Sequence, residues 1–244
     1  MKIRMIFMII SVFVIYSRAA AQTWDGSESS NWNTPANWST NAVPLTTGAV
    51  TIPNTANKPV LPANTTIASL SMSTGSALDF NGHSLTITAN ANIAGAIINN
   101  SNGGTDVVFT ITSGGGAGSN YIGGSTFNDH VSFNINGTGT SYEGYQLSNI
   151  FNGNVQFNLN GTGTFYSCYN QKSAFNGNFS LTRTVAGITD LFNSGYTNIA
   201  GNFNYINNAG GDNYINSGNV LSGSIGGTIN ITTSGTGNPI FMLR

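Results

Sequence analysis

The sequence contains very few charged residues. Of its 244 residues, seven are Lys or Arg and eight are Asp or Glu, so charged residues make up 6% of the chain, against about 25% in an average soluble domain. A nucleic-acid-binding protein needs a basic surface, which so few basic residues cannot supply. Apolar residues reach 39%, which argues against a disordered polar chain. We therefore exclude nucleic acid as a partner and expect a folded protein.

Cysteine and histidine are equally scarce. Cys168 is the single cysteine, so the chain has no internal disulfide framework. His83 and His130 are the two histidines, whereas a zinc site needs three or four ligands from His, Cys and carboxylate. The sequence therefore predicts no cofactor and no metal, and backbone pairing and packing must hold the fold together.

The first residues have the pattern of a secretory signal. Lys2 and Arg4 precede an apolar run over residues 5–16, and alanines at 19–21 offer a cleavage site before Gln22. The apolar run is too short to cross a bilayer, and no second candidate follows. We predict a signal peptide over residues 1–21, export to the extracellular space or the cell surface, and no membrane span after cleavage.

The rest of the chain repeats about every 24 residues. FNDHVSFNINGTGT at 127–140 aligns with FNGNVQFNLNGTGT at 151–164 and with FNGNFSL at 175–181. Weaker copies follow at 199–203 and 225–231, and 85–88 and 107–112 share the register upstream. Apolar and polar residues alternate within each copy, which is typical of a half-buried strand. The pattern predicts an all-β protein, a right-handed parallel β-helix with coils of about 24 residues.

Stacked coils place equivalent side chains above one another at about 4.8 Å. Aromatic rings can then pack along the stack, and amides can hydrogen-bond one another, whereas a repeated charge would repel its copies. The low charge is therefore a consequence of this architecture. We expect structural files of Phe127, Phe151 and Phe175, of Asn128, Asn152 and Asn176, and of Asn154, Asn178 and Asn202. We also expect Phe133 to stack on Phe157. Tyr121, Tyr145 and Tyr169 should occupy equivalent positions on successive coils.

Three charged or titratable residues stand out on this register. Asp106 precedes His130 by one repeat, so we interpret the two as a structural pair on adjacent coils. Arg183 falls at the inward position of Ile135 and Leu159. Either the register slips at Arg183 or its strand ends early.

Residues 22–62 do not fit the repeat and contain all three tryptophans, Trp24, Trp32 and Trp38. Solenoids need caps over their terminal strand edges, so we interpret this segment as an N-terminal Trp- and Pro-rich cap. The alternative is an aromatic platform on which the tryptophans contact carbohydrate. We assign the β-helix to residues 63–244, with the clearest repeats at 85–231.

The pattern W-D-G…N-W…P-x-N-W…V-P of residues 24–44, followed by P-V-L-P at 59–62 and LDFNGHSLTI at 78–87, resembles the start of large secreted β-helix proteins of Bacteroidetes and related bacteria. Those proteins are often described as adhesin-like or autotransporter-like surface proteins. They usually continue for many hundreds of residues and often end in a type IX secretion sorting domain. Nothing similar appears here, so the resemblance implies a truncated or fragmentary member.

The distribution of acids bears on function. Glycoside hydrolysis needs two facing carboxylates, but the eight acids are scattered along the chain. We therefore expect a non-enzymatic, exported, adhesin-like scaffold with an elongated neutral surface of Asn, Thr and aromatic residues. Its partner would be a polysaccharide or another cell's surface.

Three further possibilities follow from the sequence. One is a carbohydrate-binding or polysaccharide-degrading β-helix protein. Another is an ice-binding surface, because Thr86, Thr88, Thr110 and Thr112 begin two outward files. The third is end-to-end self-association, because the last coil, near 225–231, has no evident cap.

Overall fold

A computed structural model describes residues 21–112, 119–193, 198–215, 223–234 and 239–240. Over these residues the chain forms three parallel sheets wound into a β-helix of stacked coils. The described part contains no α-helix, and its helical structure is a single 3-10 turn at Pro35–Asn37. The predicted parallel β-helix is confirmed. Of the predicted signal peptide, residues 1–20 lie outside the described residues.

Within each sheet, hydrogen-bonded neighbouring strands follow one another in chain order, because each coil adds one strand to a sheet. The ten-stranded sheet contains Gln22–Thr23, Ala49–Ile52, Ser69–Met72, Ala91–Ala94, Asn120–Gly123, Ser141–Glu143, Phe165–Tyr166, Thr189–Leu191, Asn213–Ile215 and Pro239–Ile240. The eight-stranded sheet contains Thr65–Ile67, Ser84–Ile87, Val107–Ile111, Val131–Ile135, Val155–Leu159, Phe179–Arg183, Phe203–Asn207 and Ile229–Thr233. The seven-stranded sheet contains Ala77–Asp79, Ile97–Asn99, Thr126–Phe127, Ile150–Phe151, Ala174–Phe175, Asn198–Ile199 and Ser224–Ile225.

The coil length is 24 residues over the most regular part of the eight-stranded sheet, where Val107, Val131 and Val155 pair in succession. It is 20 residues upstream, where Thr65 pairs with Leu85. It becomes 26 residues after Phe203. The strands stay in register because turns at the corners, outside the ladders, absorb these differences.

The interior is filled by stacked aromatic and aliphatic rows. The ring centroids of Phe127 and Phe151 are 4.8 Å apart, and those of Phe151 and Phe175 are 5.1 Å apart, with nearly parallel planes. Phe133 stacks on Phe157 at 5.2 Å. All five rings are buried. Burying one such side chain contributes about 1.5–3 kcal/mol, so these rows are a main source of cohesion between coils.

Arg183 remains in register and points into the interior. It pairs with Leu159 on one side and Asn207 on the other, and its side chain is fully buried. Both sequence expectations, a register slip and an early strand end, are therefore wrong. The guanidinium is accommodated because it donates to backbone oxygens at the adjoining turns and to one hydroxyl. The acceptors are the carbonyls of Gly161, Gly163, Val185 and Ile188, and Thr189 Oγ1.

Burial lowers the pKa of Arg183 to about 10, which still leaves the group charged at neutral pH. Its positive charge is balanced by the negative ends of carbonyl dipoles. Five donors in a planar fork can serve acceptors that a single ammonium group cannot reach together. Arg183 therefore ties two neighbouring coils together from the inside.

The three tryptophans form a buried cluster. Their exposed fractions are 0% for Trp24, 2% for Trp32 and 1% for Trp38. Trp38 packs edge-to-face against both others, with centroids 5.0 Å from Trp24 and 4.7 Å from Trp32. The indole N–H of Trp24 donates to the Asn57 carbonyl and that of Trp38 to the Trp32 carbonyl. The alternative in which these tryptophans form a platform for carbohydrate is wrong, because no ring face is open to solvent.

The tryptophan segment is also part of the β-helix. Gln22–Thr23 pairs in parallel with Ala49–Ile52, and both strands belong to the ten-stranded sheet. A bridge from Asn31 to Val60 and another from Val60 to Asp79 continue the stacking. The boundary drawn between residues 62 and 63 therefore marks no break in the solenoid.

Candidate functional site

Five tyrosines form a continuous aromatic surface on the outer side of the ten-stranded sheet. Tyr121, Tyr142 and Tyr166 stack along the coils, with centroids 5.5 Å and 5.3 Å apart and interplanar angles of 7° and 6°. Tyr145 and Tyr169 form a second row beside them, 6.0 Å apart and parallel. All five rings are partly exposed. We call this set the tyrosine surface.

The two rows are interleaved. Tyr145 lies 4.4 Å from Tyr121 and 5.6 Å from Tyr142, while Tyr169 lies 4.6 Å from Tyr142. The interplanar angles of these cross contacts lie between 45° and 56°, a tilted arrangement that suits the quadrupoles of aromatic rings. Each ring in one row thereby supports the rings of the other.

The register of the tyrosine surface differs from the expected single row of Tyr121, Tyr145 and Tyr169. Tyr121 pairs with Tyr142, and the coil between Asn120 and Ser141 spans 21 residues. Tyr145 instead lies on the turn that follows the next strand. The missed signal was the recurrence of Tyr142 and Tyr145 at Tyr166 and Tyr169, one 24-residue coil later.

A change in turn length creates a step in this surface. Between the ten-stranded and seven-stranded sheets, the coil of Tyr121 turns through Gly124 and Ser125 alone, whereas the next coil uses residues 144–149. The longer turn folds back over the shorter one. Leu147 N–H donates to the Tyr145 carbonyl at 2.7 Å, and Gly124 N–H donates to the Leu147 carbonyl at 3.0 Å.

Glycine permits the close approach of these two turns. A Cβ atom on Gly123 would lie 2.1 Å from the Tyr145 carbonyl oxygen, which no side chain can satisfy without moving the backbone. Gly124 has a φ of +67°, in the left-handed region that favours glycine. The step is therefore specified by residues of both coils.

A groove of about 310 Å³ lies at the foot of the step. Its lining combines aromatic rings, exposed amides and small residues. The lining residues are Asn92, Ala94, Tyr121, Gly123, Tyr145, Gln146 and Leu147. Leu147 has 55% of its surface exposed at the rim. We call this feature the tyrosine groove; its volume is at the lower end of small-molecule sites.

Glu143 fixes the turns that carry Tyr145 and Tyr169. Its buried carboxylate accepts hydrogen bonds from Asn149 Nδ2 at 2.9 Å, from the Cys168 backbone N–H at 2.8 Å and from the Ser173 hydroxyl. Its backbone carbonyl accepts from the Tyr169 N–H at 2.8 Å. Glu143 therefore connects residues 144–149 to residues 167–173 of the next coil and sets the spacing of the second tyrosine row.

Burial raises the pKa of Glu143, and hydrogen bonds from Asn149, Ser173 and Cys168 oppose this shift. The pKa of Tyr142 is raised by burial and then by the neighbouring phenols, and that of Tyr166 by burial and the Asp190 carboxylate. The phenols of Tyr142 and Tyr166 therefore remain neutral hydrogen-bonding groups at physiological pH. No charged side chain is among the described residues that line the tyrosine groove.

The structure brings Asp106 and His130 to a second, shallow groove of about 270 Å³, together with Asn154, Gln156 and Asn178. It does not join them as a pair. His130 Nδ1 accepts a hydrogen bond from the Asn154 backbone N–H at 2.7 Å, and among the described residues no ion pair links it to Asp106. The expected structural contact is therefore replaced by one from His130 to the next coil.

The asparagine files lie where the repeat places them, and they bond in two different ways. In the exposed file, Asn152 Nδ2 donates to Asn128 Oδ1 at 3.0 Å, and Asn176 Nδ2 donates to Asn152 Oδ1 at 2.9 Å. In the other, the backbone N–H of Asn178 donates to Asn154 Oδ1, and that of Asn202 to Asn178 Oδ1. The first file is an amide ladder, and the second ties side chain to backbone between coils.

Two further findings concern metal binding and membrane-spanning helices. In the described part of the chain, no three residues among His, Cys, Asp and Glu are grouped so that they could hold a metal ion. None of the described helical structure has the length and apolar character of a membrane-spanning helix.

Comparison with known proteins gives one similarity. Residues 23–108 match a family model described as a domain of unknown function, DUF8693. No curated protein and no solved structure matches the chain. The matched segment contains the tryptophan cluster and the first coils, including Asn92 and Ala94, and ends before the tyrosine surface.

Proposed function

We propose that the protein is an exported, non-enzymatic scaffold of the adhesin-like kind, which contacts a polysaccharide or another cell's surface through the neutral outer faces of its sheets. The observation that supports this most is the continuity of uncharged outward rows over successive coils. The tyrosine surface and the Asn128–Asn152–Asn176 ladder are two such rows.

The positions of the acids support a non-enzymatic role. Asp25 accepts a hydrogen bond from the Ser27 backbone N–H, and Asp129 accepts one from Asn100. Asp79 accepts from the backbone N–H groups of Asn81 and Ser101. Together with Glu143, these carboxylates hold turns in place, as short acidic side chains commonly do.

The test uses the chain from Gln22 to Arg244, immobilised on beads. The beads should adhere to bacterial cells or to polysaccharide-coated plates, and little to coated plates from which the glycan has been stripped. The same protein should release no unsaturated or reducing products from pectin, alginate or neutral glucans. Sustained turnover of any of these polymers would overturn the proposal.

The ice-binding alternative has weaker support. Its outward row runs through Thr110, Asn134 and Asn158 in exact pairing, but the amides bond within the row. Asn158 Nδ2 donates to Asn134 Oδ1 at 2.9 Å, so these groups are already partly satisfied within the protein. A measurement of thermal hysteresis distinguishes this function from the scaffold.

End-to-end association of two copies is a second part of the proposal. Ile229 and Ile231, on the last strand of the eight-stranded sheet, have 56% and 42% of their surfaces exposed. Exposed apolar side chains on the outermost described strand of a sheet favour pairing with another chain. Sedimentation velocity over a concentration series should show association that Ile229→Thr and Ile231→Thr together reduce.

A further inference from the structure

We infer that the tyrosine groove is a binding site for an uncharged polysaccharide chain, which stacks one sugar ring on Tyr121 beside Tyr145. This inference rests on the proposed function, because it names the partner class of the scaffold and the place where that partner binds. The tyrosine groove is a different site from the tryptophan platform that the sequence offered as an alternative, because the tryptophan rings are buried.

Tyr121 is the first ring of the row that continues through Tyr142 and Tyr166. Tyr142 stacks on one face of Tyr121. On the preceding coil, the residue paired with Tyr121 is Asn92, which carries no ring. Tyr121 and Asn92 both line the groove, so the groove lies on the side of Tyr121 that faces the preceding coil. Because the face of an aromatic ring is negative, it attracts the slightly positive C–H bonds on the flat side of a sugar ring.

Two side-chain amides line the groove together with Tyr121. Asn92 and Gln146 are both exposed and both line the groove. Each amide offers two N–H donors and one carbonyl acceptor, a combination that suits neighbouring hydroxyl groups on a sugar. Such polar groups beside an aromatic floor are the usual means of fixing a ligand's orientation.

The charge of the groove decides between classes of polysaccharide. The described lining residues are all uncharged, so a uronate or sulfated sugar would lose part of its hydration without gaining an opposite charge. A neutral sugar incurs no such penalty. The groove therefore fits a neutral chain such as a glucan or mannan better than an acidic one.

The site is held in place before any ligand arrives. Tyr145 and Gln146 belong to the turn that Glu143 anchors through Asn149, and Leu147 is hydrogen-bonded to Gly124 of the neighbouring coil. Rigid binding surfaces lose less conformational entropy on binding than flexible ones. The groove is also open at the surface step, which allows internal residues of a long chain to bind.

The experiment is native affinity electrophoresis of the chain from Gln22 to Arg244 in gels containing dextran, galactomannan, mixed-linkage β-glucan or alginate. We expect retardation by at least one neutral polymer and less by alginate. Tyr121→Ala should weaken that binding by about tenfold or more, as removal of a central aromatic contact commonly does.

A second variant tests the groove even if Tyr121→Ala does not fold. Asn92→Tyr adds a ring in register with Tyr121, which extends the stack and closes the open face. This variant should keep or raise the thermal midpoint and abolish retardation. Its matched control is Thr51→Tyr, which places the same new side chain in the same outward row two coils away. The control should bind as the parent chain does.

The results separate this inference from the scaffold proposal. If the beads adhere to cells but no neutral polymer retards the chain, the groove inference is wrong and the scaffold proposal stands. Retardation that persists unchanged in Asn92→Tyr, or stronger retardation by alginate, would equally overturn the inference. If Tyr121→Ala fails to fold, the Asn92→Tyr result decides.

Discussion

The carboxylate of Glu143 accepts a hydrogen bond from the backbone N–H of Cys168 on the next coil, at 2.8 Å. The same carboxylate also binds Asn149 of its own turn. A side chain in one coil thus determines the path of two successive turns. Because those turns carry Tyr145 and Tyr169, a buried residue determines the shape of the exposed tyrosine surface.

Removal of the Glu143 carboxylate should loosen both turns. Glu143→Ala leaves buried donors of Asn149 and Cys168 without their acceptor, and each such group costs about 1–3 kcal/mol. We expect a lower urea midpoint and faster hydrogen exchange in residues 144–149 and 167–173. The exposed Glu28 provides the control, since Glu28→Ala should change stability by no more than about 0.5 kcal/mol. Equal effects of the two substitutions would contradict the anchoring role.

Glu143 should also make stability depend on pH. Burial raises its folded-state pKa above the ordinary value of a glutamate, so between the unfolded and folded pKa values the folded chain holds a proton that the unfolded chain has released. This contribution to stability is complete below the unfolded pKa and declines as pH rises through the folded pKa. Glu143→Gln should remove this dependence. Urea midpoints measured from pH 4 upward in both proteins provide the test, and parallel profiles would rule out the assignment.

Arg183 should be essential to the stability of its coil, although it is a charged side chain in the interior. Arg183→Ala leaves several buried carbonyls without donors, each at a cost of about 1–3 kcal/mol, and creates a cavity that adds to the loss of stability. Arg183→Lys keeps the charge but loses the planar fork, so we expect an intermediate loss. Thermal unfolding should rank the proteins as parent, Lys variant and Ala variant, with Glu28→Ala at an exposed position as control. A Lys variant as stable as the parent would show that charge alone suffices.

Substitution of the central ring in the row of Phe127, Phe151 and Phe175 should lower the stability of the fold. Phe151 stacks between Phe127 and Phe175, so Phe151→Ala removes two ring contacts and leaves a cavity, at a cost of about 3–5 kcal/mol. Phe151→Leu refills part of that space and should cost less. Denaturation followed by far-ultraviolet circular dichroism measures both. Similar losses in the two variants would indicate that cavity volume is not the cause.

The exposed asparagine ladder should tolerate a charge poorly at its centre. Asn152→Asp keeps the acceptor for Asn176 but replaces the donor to Asn128 with a negative oxygen, which faces the Asn128 carbonyl oxygen. We expect a loss of about 0.5–1.5 kcal/mol, the net value of one hydrogen bond. The exposed Asn33 is the control, and Asn33→Asp should change stability less. Equal thermal midpoints would show that the ladder contributes nothing.

The sequence predicted those contacts that depend only on a constant repeat. Phe127 and Phe151 are one 24-residue coil apart, as are Asn128 and Asn152, and parallel pairing then places each pair in contact. The pairing of Tyr121 with Tyr142 was not predicted, because that coil is shorter. A periodic pattern cannot show which corner absorbs a difference in length, since the turn residues do not take part in the ladders.

The sequence by itself determined the class of fold, the direction of most side chains and the low charge, because all three follow from alternation along a strand and repetition between coils. The tertiary structure decided the rest. It buried Trp24, Trp32 and Trp38 against one another, supplied the inward-pointing Arg183 with carbonyl acceptors at neighbouring turns, and brought Asn92, Tyr121 and Tyr145 around one groove. These outcomes depend on contacts between residues that no local period relates, so they appear only when the coils are stacked.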